Sequence, residues 1–171
     1  MMPGQARYEI FDASKNLLAV ASEADGRSRF QTLTGLIPDT RQLGVRTAAG
    51  QQVLTLVKRD SVWAADVTEA AGKPVGRIRI GDTRRHYTLL DAGGRVIGKA
   101  AGDLAVKNFS VTTAEGAPLA QVRKTWAGLR KELLTSADHY TVTFSGTVPQ
   151  PARVLTVMMA IVMDLARHGP D

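Results

Sequence analysis

The stretch Gln150–His168, QPARVLTVMMAIVMDLARH, decides the fold, because it is the one convincing helix of the chain. At 100° per residue, its few polar side chains fall within one narrow stripe: Arg153, Thr156, Asp164 and Arg167. A helix that is apolar on most of its sides is either buried in a core or spans a membrane. A span needs about 20 predominantly apolar residues, whereas only ten residues separate Arg153 from Asp164. The sequence therefore predicts a buried core helix at about 150–168.

Six residues of this helix are expected to be structural: Val154, Leu155, Met158, Ile161, Val162 and Asp164. The five apolar side chains are candidates for the centre of the core. Asp164 lies in the last turn, where the helix dipole disfavours a negative charge. We expect this carboxylate to accept hydrogen bonds from strand-end N–H groups or from a nearby arginine, and a functional role for it is the alternative.

The rest of the chain indicates β-hairpins around this helix. From residue 43 onward, two short apolar runs joined by a turn recur, and the turn glycines follow one another every 22 residues: Gly50, Gly72, Gly94 and Gly116. A fixed period marks a repeated supersecondary unit. Here the unit is two strands joined by a tight turn whose glycine can adopt a positive φ. Two other hairpins are predicted, one at 7–21 and one that joins a strand at 129–135 to a strand at 139–144, and one further strand is predicted at 30–36.

The number of strands, about 12, predicts a closed sheet, because open sheets of that size curl or close. A barrel wider than about eight strands needs a filler, and a helix about 10 Å across suits that role. The expected fold class is mainly β: a closed barrel of about 12 antiparallel strands built from hairpins, at about 7–145, enclosing one C-terminal hydrophobic α-helix. We expect residues 1–171 to form a single domain.

Composition and charge limit the classes of function that the chain can have. The chain has 171 residues, of which 44% are hydrophobic and 22% charged, as in a folded soluble protein. It has no cysteine, which excludes disulfides and thiolate metal sites and fits a reducing compartment. No apolar stretch typical of a signal peptide follows Met1, so we expect a cytoplasmic protein, peripheral at the membrane. The net charge of +6 favours anionic partners.

No catalytic constellation stands out in the sequence. The histidines His86, His139 and His168 are isolated, without metal-ligand spacing, and the glycines at 93, 94 and 98 do not precede a helix as a dinucleotide-binding loop would. We therefore expect neither an enzyme nor a cofactor nor a metal site.

Basic residues supply the candidate binding site. Arg77 and Arg79 alternate on one predicted strand and therefore share a face, and basic residues flank Trp126, a combination that suits a membrane interface. The candidates for lipid or anion binding are Arg77, Arg79, Arg84, Arg85, Arg123, Lys124, Trp126, Arg130 and Lys131. The alternative is that these are outward-facing strand positions that only keep the surface soluble.

A pattern in the C-terminal third points to a family. It comprises 122–132, VRKTWAGLRKE, then 135–140, TSADHY, and then the apolar helix ending at Asp164. This pattern resembles the phospholipid scramblase and LURP-one-related family of the Tubby C-terminal-like superfamily. The segments 50–59, GQQVLTLVKR, and 86–92, HYTLLDA, extend the resemblance to roughly residues 7–167. The resemblance implies a closed 12-stranded barrel around a hydrophobic helix, and an association with calcium-dependent lipid movement, phosphoinositides or, in some members, DNA.

The sequence departs from the family pattern in ways that bear on calcium and anchoring. It lacks the proline-rich N-terminal extension and the acylated cysteine cluster of animal members, and the segment 145–150, SGTVPQ, has no carboxylate where animal members are acidic. Calcium binding is therefore not expected. The sequence predicts a scramblase-related, non-catalytic protein that binds an anionic membrane surface or a phospholipid headgroup and is linked to phospholipid movement. The alternatives are a protein-interaction or nucleic-acid-binding module using the same basic face, and a true membrane-inserted scramblase.

Overall fold

The computed structural model describes residues 6–23, 40–125 and 139–167, without the side chain of residue 60. The chain divides into two compact units, Met1–Pro74 and Val75–Asp171. In the described ranges the regular structure is mainly β, with eleven strands and one C-terminal α-helix, and each recorded strand pair is antiparallel. The predicted fold class is confirmed to this extent.

The first unit is a meander of five strands. They are β1 (Arg7–Phe11), β2 (Leu17–Glu23), β3 (Thr40–Thr47), β4 (Gln52–Arg59) and β5 (Ala64–Glu69), with one 3-10 turn at Asp60–Val62. Each strand pairs with the next along the chain. Alternation along β3 buries Leu43 and Val45, as expected of a strand with one face in a core.

The second unit holds six strands and the helix. The strands are β6 (Pro74–Ile80), which begins at the last residue of the first unit, β7 (His86–Asp91), β8 (Val96–Gly102), β9 (Asn108–Thr112), β10 (Pro118–Thr125) and β11 (His139–Phe144); the helix is α1 (Ala152–Arg167). Each of these strands again pairs with the next. The predicted strand at 139–144 is thus confirmed as β11, and it pairs with β10.

The repeated turns have the geometry that the 22-residue period predicts. Gly50, Gly72, Gly94 and Gly116 have φ angles between 85° and 92°, a conformation that costs a glycine little. In the turn between β7 and β8, the Gly94 amide donates to the Asp91 carbonyl oxygen at 2.9 Å. The predicted hairpins are therefore confirmed as local structures.

The closed barrel is not confirmed. The described ranges contain eleven strands, not 12, and the predicted strands at 30–36 and 129–135 lie outside these ranges. Within each unit the strand order follows the chain, and hydrogen bonds do not return from the last described strand to the first. Closure of the barrel and a single domain therefore stay predictions.

The helix α1 is buried, as the sequence predicts, although its bounds are slightly shorter than 150–168. The Val154 amide donates to the Gln150 side-chain oxygen at 3.0 Å, which satisfies one of the free N–H groups of the first turn. Within its own unit, α1 contacts β7 and β11. Of the six predicted core residues, Val154 is half-buried. The other five are buried: Leu155, Met158, Ile161, Val162 and Asp164.

The polar stripe of α1 is buried in its middle and exposed only at its two ends. Arg153 and Arg167 are exposed, whereas Thr156 and Asp164 are buried. The Thr156 hydroxyl donates to the Ala152 carbonyl oxygen at 2.7 Å, which removes most of the cost of burying it. The polar stripe therefore does not expose the middle of the helix to solvent.

Candidate functional site

A half-open pocket of about 230 Å³ lies in the second unit, where α1 ends. Its wall is assembled from the β6–β7 turn, β7, the β8–β9 turn, β9, β11 and the last turn of α1. The lining residues are Thr83, Arg84, Tyr87, Val106, Phe109, Tyr140, Met163 and Arg167. We refer to it as the Arg84–Arg167 pocket, after its two cations.

The apolar floor of the pocket is formed by buried side chains. Tyr87 and Phe109 are 3% and 2% exposed, and their rings meet edge to face with centroids 5.9 Å apart and planes at 69°, a favourable aromatic geometry. Met163 of α1 is also buried. Alternation along β7 and β9 turns these side chains inward, so the floor follows from the strand pattern.

The two cations reach the pocket from different elements. Arg84 lies in the β6–β7 turn with a φ of 54°, and its amide donates to the Gly81 carbonyl oxygen at 3.0 Å. Arg167 ends α1, and its Nη2 donates to the Val106 carbonyl oxygen at 2.9 Å. Two guanidinium groups therefore border one small cavity, and none of its lining residues is a carboxylate.

The Tyr87 hydroxyl is influenced both by its burial and by the two guanidinium groups. Burial raises the pKa of Tyr87 to about 12, while the positive charges of Arg167 and Arg84 act in the opposite direction. Burial disfavours the phenolate, whereas a nearby cation favours it. The same two cations would stabilise any other anion that entered.

The α1 dipole opposes an anion at this place. The C-terminal end of a helix carries roughly half a negative charge, and α1 ends at the pocket. Two full positive charges on Arg84 and Arg167 outweigh that half charge. The guanidinium groups, not the helix, are therefore the features of the pocket that favour an anion.

The guanidinium groups of the pocket have a geometry that suits an oxyanion. Guanidinium groups present N–H donors in a planar fork that matches carboxylate or phosphate oxygens.

The family model for Scramblase matches residues 4–168 of the chain. The chain belongs to the scramblase family. The resemblance to the phospholipid scramblase and LURP-one-related family is thereby confirmed.

A solved structure shares the fold of this scramblase-family chain. It is an X-ray structure of a protein from Arabidopsis thaliana, which superposes with a TM-score of 0.62 at 15% sequence identity, covering 95% of this chain and 85% of that one. At this identity the likeness shows the fold alone. A search of curated proteins found no match.

Among the described residues, the predicted basic candidates lie on separate strands and turns of the second unit. Arg77 and Arg79 lie on the exposed face of β6, and Arg123 lies on the exposed face of β10. Strands β7, β8 and β9 lie between them. At about 4.8 Å per strand, β6 and β10 are roughly 19 Å apart along the sheet. The exposed face therefore carries scattered charges.

Two further candidates lie close to the pocket, and three lie outside the described residues. Lys124 is half-buried and pairs with Tyr140 across β10 and β11, so their side chains start as neighbours on one face. Arg85 is also half-buried, and its Nη2 lies 3.5 Å from the Gly102 carbonyl oxygen, bridging the β6–β7 turn to the end of β8. The residues that the structure does not describe are Trp126, Arg130 and Lys131.

Sequence reasoning found Arg84 but missed the other lining residues of the pocket, because they are far apart along the chain. The sequence places Arg167 in the polar stripe of the helix and Tyr87 and Tyr140 in β segments, and it gives none of the three a binding role. One sequence signal was available. The β8–β9 turn, DLAVK at 103–107, has Val106 where the turn DAGGR at 91–95 has Gly94, and a β-branched residue at a position that suits glycine is unusual.

In the described ranges, no group of three or more His, Asp or Glu side chains is placed to hold a metal ion. None of the helices there combines the length and apolarity required to cross a membrane. The expectation that calcium does not bind stays a prediction.

Proposed function

We propose that this scramblase-family protein binds the phosphate of an anionic phospholipid headgroup in the Arg84–Arg167 pocket, without catalysis. The observation that supports the proposal is the meeting of two guanidinium groups in one pocket whose lining residues include no carboxylate. Family membership supports a phospholipid-related role. The closed barrel around α1 and a cytoplasmic, peripheral location belong to the same proposal.

The volume of the pocket favours a headgroup over a whole lipid. A water molecule occupies about 30 Å³ in the liquid, so the 230 Å³ of the pocket is room for roughly eight such volumes. A phosphate and a small polar group fit in that space, whereas two acyl chains do not. The chains would stay in the bilayer, and the protein would bind at its surface.

The geometry favours a phosphate gripped from two sides. Arg84 comes from a β-turn and Arg167 from the helix end, so a tetrahedral anion between them can accept from both guanidinium groups at once. Charge-assisted hydrogen bonds of this kind are about twice as strong as neutral ones. The apolar floor of Tyr87 and Phe109 lowers the local dielectric, which strengthens the attraction further.

Vesicle co-sedimentation tests the proposal. The probe is phosphatidylcholine vesicles with and without phosphatidylserine, and the variant is the double substitution Arg84→Gln/Arg167→Gln. Each basic residue near an anionic surface contributes about 1 kcal/mol, so the double variant should lose about 30-fold in affinity for the anionic vesicles.

The matched control is Arg77→Gln/Arg79→Gln, which removes the same charge from the exposed face of β6. It should change the affinity by less than about 3-fold. Equal losses in both double variants would show that net charge, not the pocket, drives binding. Saturable binding of a DNA duplex that depends on Arg77 and Arg79, without vesicle binding, would favour the nucleic-acid alternative.

A further inference from the structure

Leu104 is the most exposed large apolar side chain among the described residues. It is 87% exposed, whereas the other large apolar side chains at the surface are between 37% and 56% exposed. It lies in the β8–β9 turn, two residues before Val106, which lines the Arg84–Arg167 pocket. A single exposed leucine is ordinary, so its significance depends on its surroundings.

The turn that carries Leu104 is held firmly by its own hydrogen bonds. The carboxylate of Asp103 accepts from the Lys107 amide through Oδ1 at 2.9 Å and from the Asn108 side chain through Oδ2 at 2.8 Å. The Asp103 carbonyl oxygen accepts from the Val106 amide at 3.0 Å. A preorganised turn can present Leu104 with little further loss of conformational entropy.

The same turn contains an unfavourable backbone conformation. Val106 has a φ of 54°, where the equivalent Gly94 of the β7–β8 turn has 85°. A positive φ in a β-branched residue is a genuine outlier, and such outliers cluster at functional sites. An exposed leucine and a strained valine therefore share one turn beside a cationic pocket.

The charge of the neighbouring residues distinguishes this turn from the exposed apolar side chains of the first hairpin. Phe11, Leu17 and Leu18 are exposed in the first hairpin. The described segment 6–23 contains two basic and three acidic residues: Arg7, Lys15, Glu9, Asp12 and Glu23. The segment itself therefore has a formal net charge of −1.

The surroundings of the pocket have the opposite balance. They include five basic and three acidic residues: Arg84, Arg85, Lys107, Lys124, Arg167, Asp82, Asp103 and Asp164. With all three acidic residues counted, this set still has a formal net charge of +2. This end of the second unit therefore complements an anionic surface.

We infer that the β8–β9 turn inserts Leu104 into an anionic bilayer while a headgroup occupies the Arg84–Arg167 pocket. The inference rests on the proposed function and adds the orientation of the second unit and an apolar anchor. An apolar side chain between basic residues can enter the acyl boundary while the cations remain at the headgroups.

The first test is Leu104→Asn, with Leu18→Asn as the matched control. Removing the apolar side chain that would enter the bilayer should lower the affinity for phosphatidylserine-containing vesicles by about 10-fold. It should leave the binding of glycerophosphoserine, the water-soluble headgroup, unchanged. Leu18→Asn should change neither. Vesicle binding that is the same in Leu104→Asn and in the unsubstituted protein would overturn the inference.

The second test uses the absence of cysteine from the chain. Leu104→Cys and Leu18→Cys can each carry a single environment-sensitive fluorophore. With anionic vesicles, the emission at position 104 should shift to the blue, and that at position 18 should not. If glycerophosphoserine binds but position 104 stays unchanged with bound vesicles, insertion is wrong and the pocket stands. If glycerophosphoserine does not bind, the proposed function is wrong.

Discussion

The guanidinium Nη2 of Arg167 donates a hydrogen bond to the carbonyl oxygen of Val106 at 2.9 Å, although the two residues are 61 positions apart. This bond joins the last turn of α1 to the β8–β9 turn. The cation of the pocket and the strained turn beside it are therefore fixed relative to each other by one contact. The packing of α1 within the second unit thus controls the geometry of the proposed site.

Gly76 of β6 has no room for a side chain, because a Cβ atom there would collide with the Leu90 carbonyl oxygen of β7. A Cβ atom there would lie 2.7 Å from Cδ1 of Leu155, so Gly76→Ala must displace the helix or the strand. We expect a loss of about 1–3 kcal/mol in the free energy of unfolding, measured by urea denaturation. Gly44→Ala is the control, because its Cβ meets nothing closer than 3.8 Å. Equal losses would contradict close packing at Gly76.

Ile161 tests the burial of α1. It is 5% exposed, and a carboxylate in its place would cost several kcal/mol without a partner. We expect Ile161→Asp to abolish soluble expression, whereas Ile161→Val should cost only about 0.5–1.5 kcal/mol. If Ile161→Asp folds normally and only loses membrane partitioning, the helix acts as an anchor and not as core.

The strained backbone of Val106 predicts that a glycine is tolerated better at this position than in a regular strand. A strained positive φ costs on the order of 1–3 kcal/mol, and glycine removes that cost. Val96, half-buried in β8, is the matched residue in a regular strand, where glycine only weakens the strand. In urea denaturation, Val106→Gly should therefore be less destabilising than Val96→Gly by at least about 1 kcal/mol. The same loss in both variants would mean that Val106 is not strained.

The Tyr87 phenol predicts how stability depends on alkaline pH. Burial raises the pKa of Tyr87 to about 12, compared with about 10 in an unfolded chain. Between these values the unfolded state has lost the proton that the folded state still holds, so the free energy of unfolding falls as pH rises. The contribution, about 2–3 kcal/mol, is fully present below the unfolded pKa and is lost as pH rises through the folded one.

Urea denaturation at a series of alkaline pH values measures this dependence, and Tyr87→Phe is the control. The difference in stability between the two proteins should change over this window. A parallel pH dependence in the two would show that Tyr87 has an ordinary pKa in the folded protein.

The fold could be predicted from the sequence where local rules decide it. The 22-residue spacing from Gly50 to Gly116 identifies hairpins because a tight turn needs a residue that tolerates positive φ, and all four glycines have it. The apolar surface of α1 predicts burial because the ten residues between Arg153 and Asp164 are too few to span a membrane. Closure of a barrel depends on pairing between strands far apart along the chain, which no local pattern specifies.

The candidate site was predictable only in part. The sequence groups Arg77 and Arg79 with Arg123 only by their charge. In the sheet, three strands separate them. Arg84 and Arg167 lie 83 positions apart in the sequence but line one pocket. Their meeting results from tertiary packing of a turn against a helix end, and spacing in the sequence carries no trace of it.

Nuclear magnetic resonance of the arginine side chains tests the central claim most directly. The Nε–Hε signals of the protein are followed while glycerophosphoserine is added, with zwitterionic glycerophosphocholine as the control ligand. We predict saturable shifts of the Arg84 and Arg167 signals, weaker shifts with glycerophosphocholine, and unchanged signals for Arg77 and Arg79. Shifts confined to Arg77 and Arg79, or no saturable shift at Arg84 and Arg167, would contradict an anion-binding pocket at the end of α1.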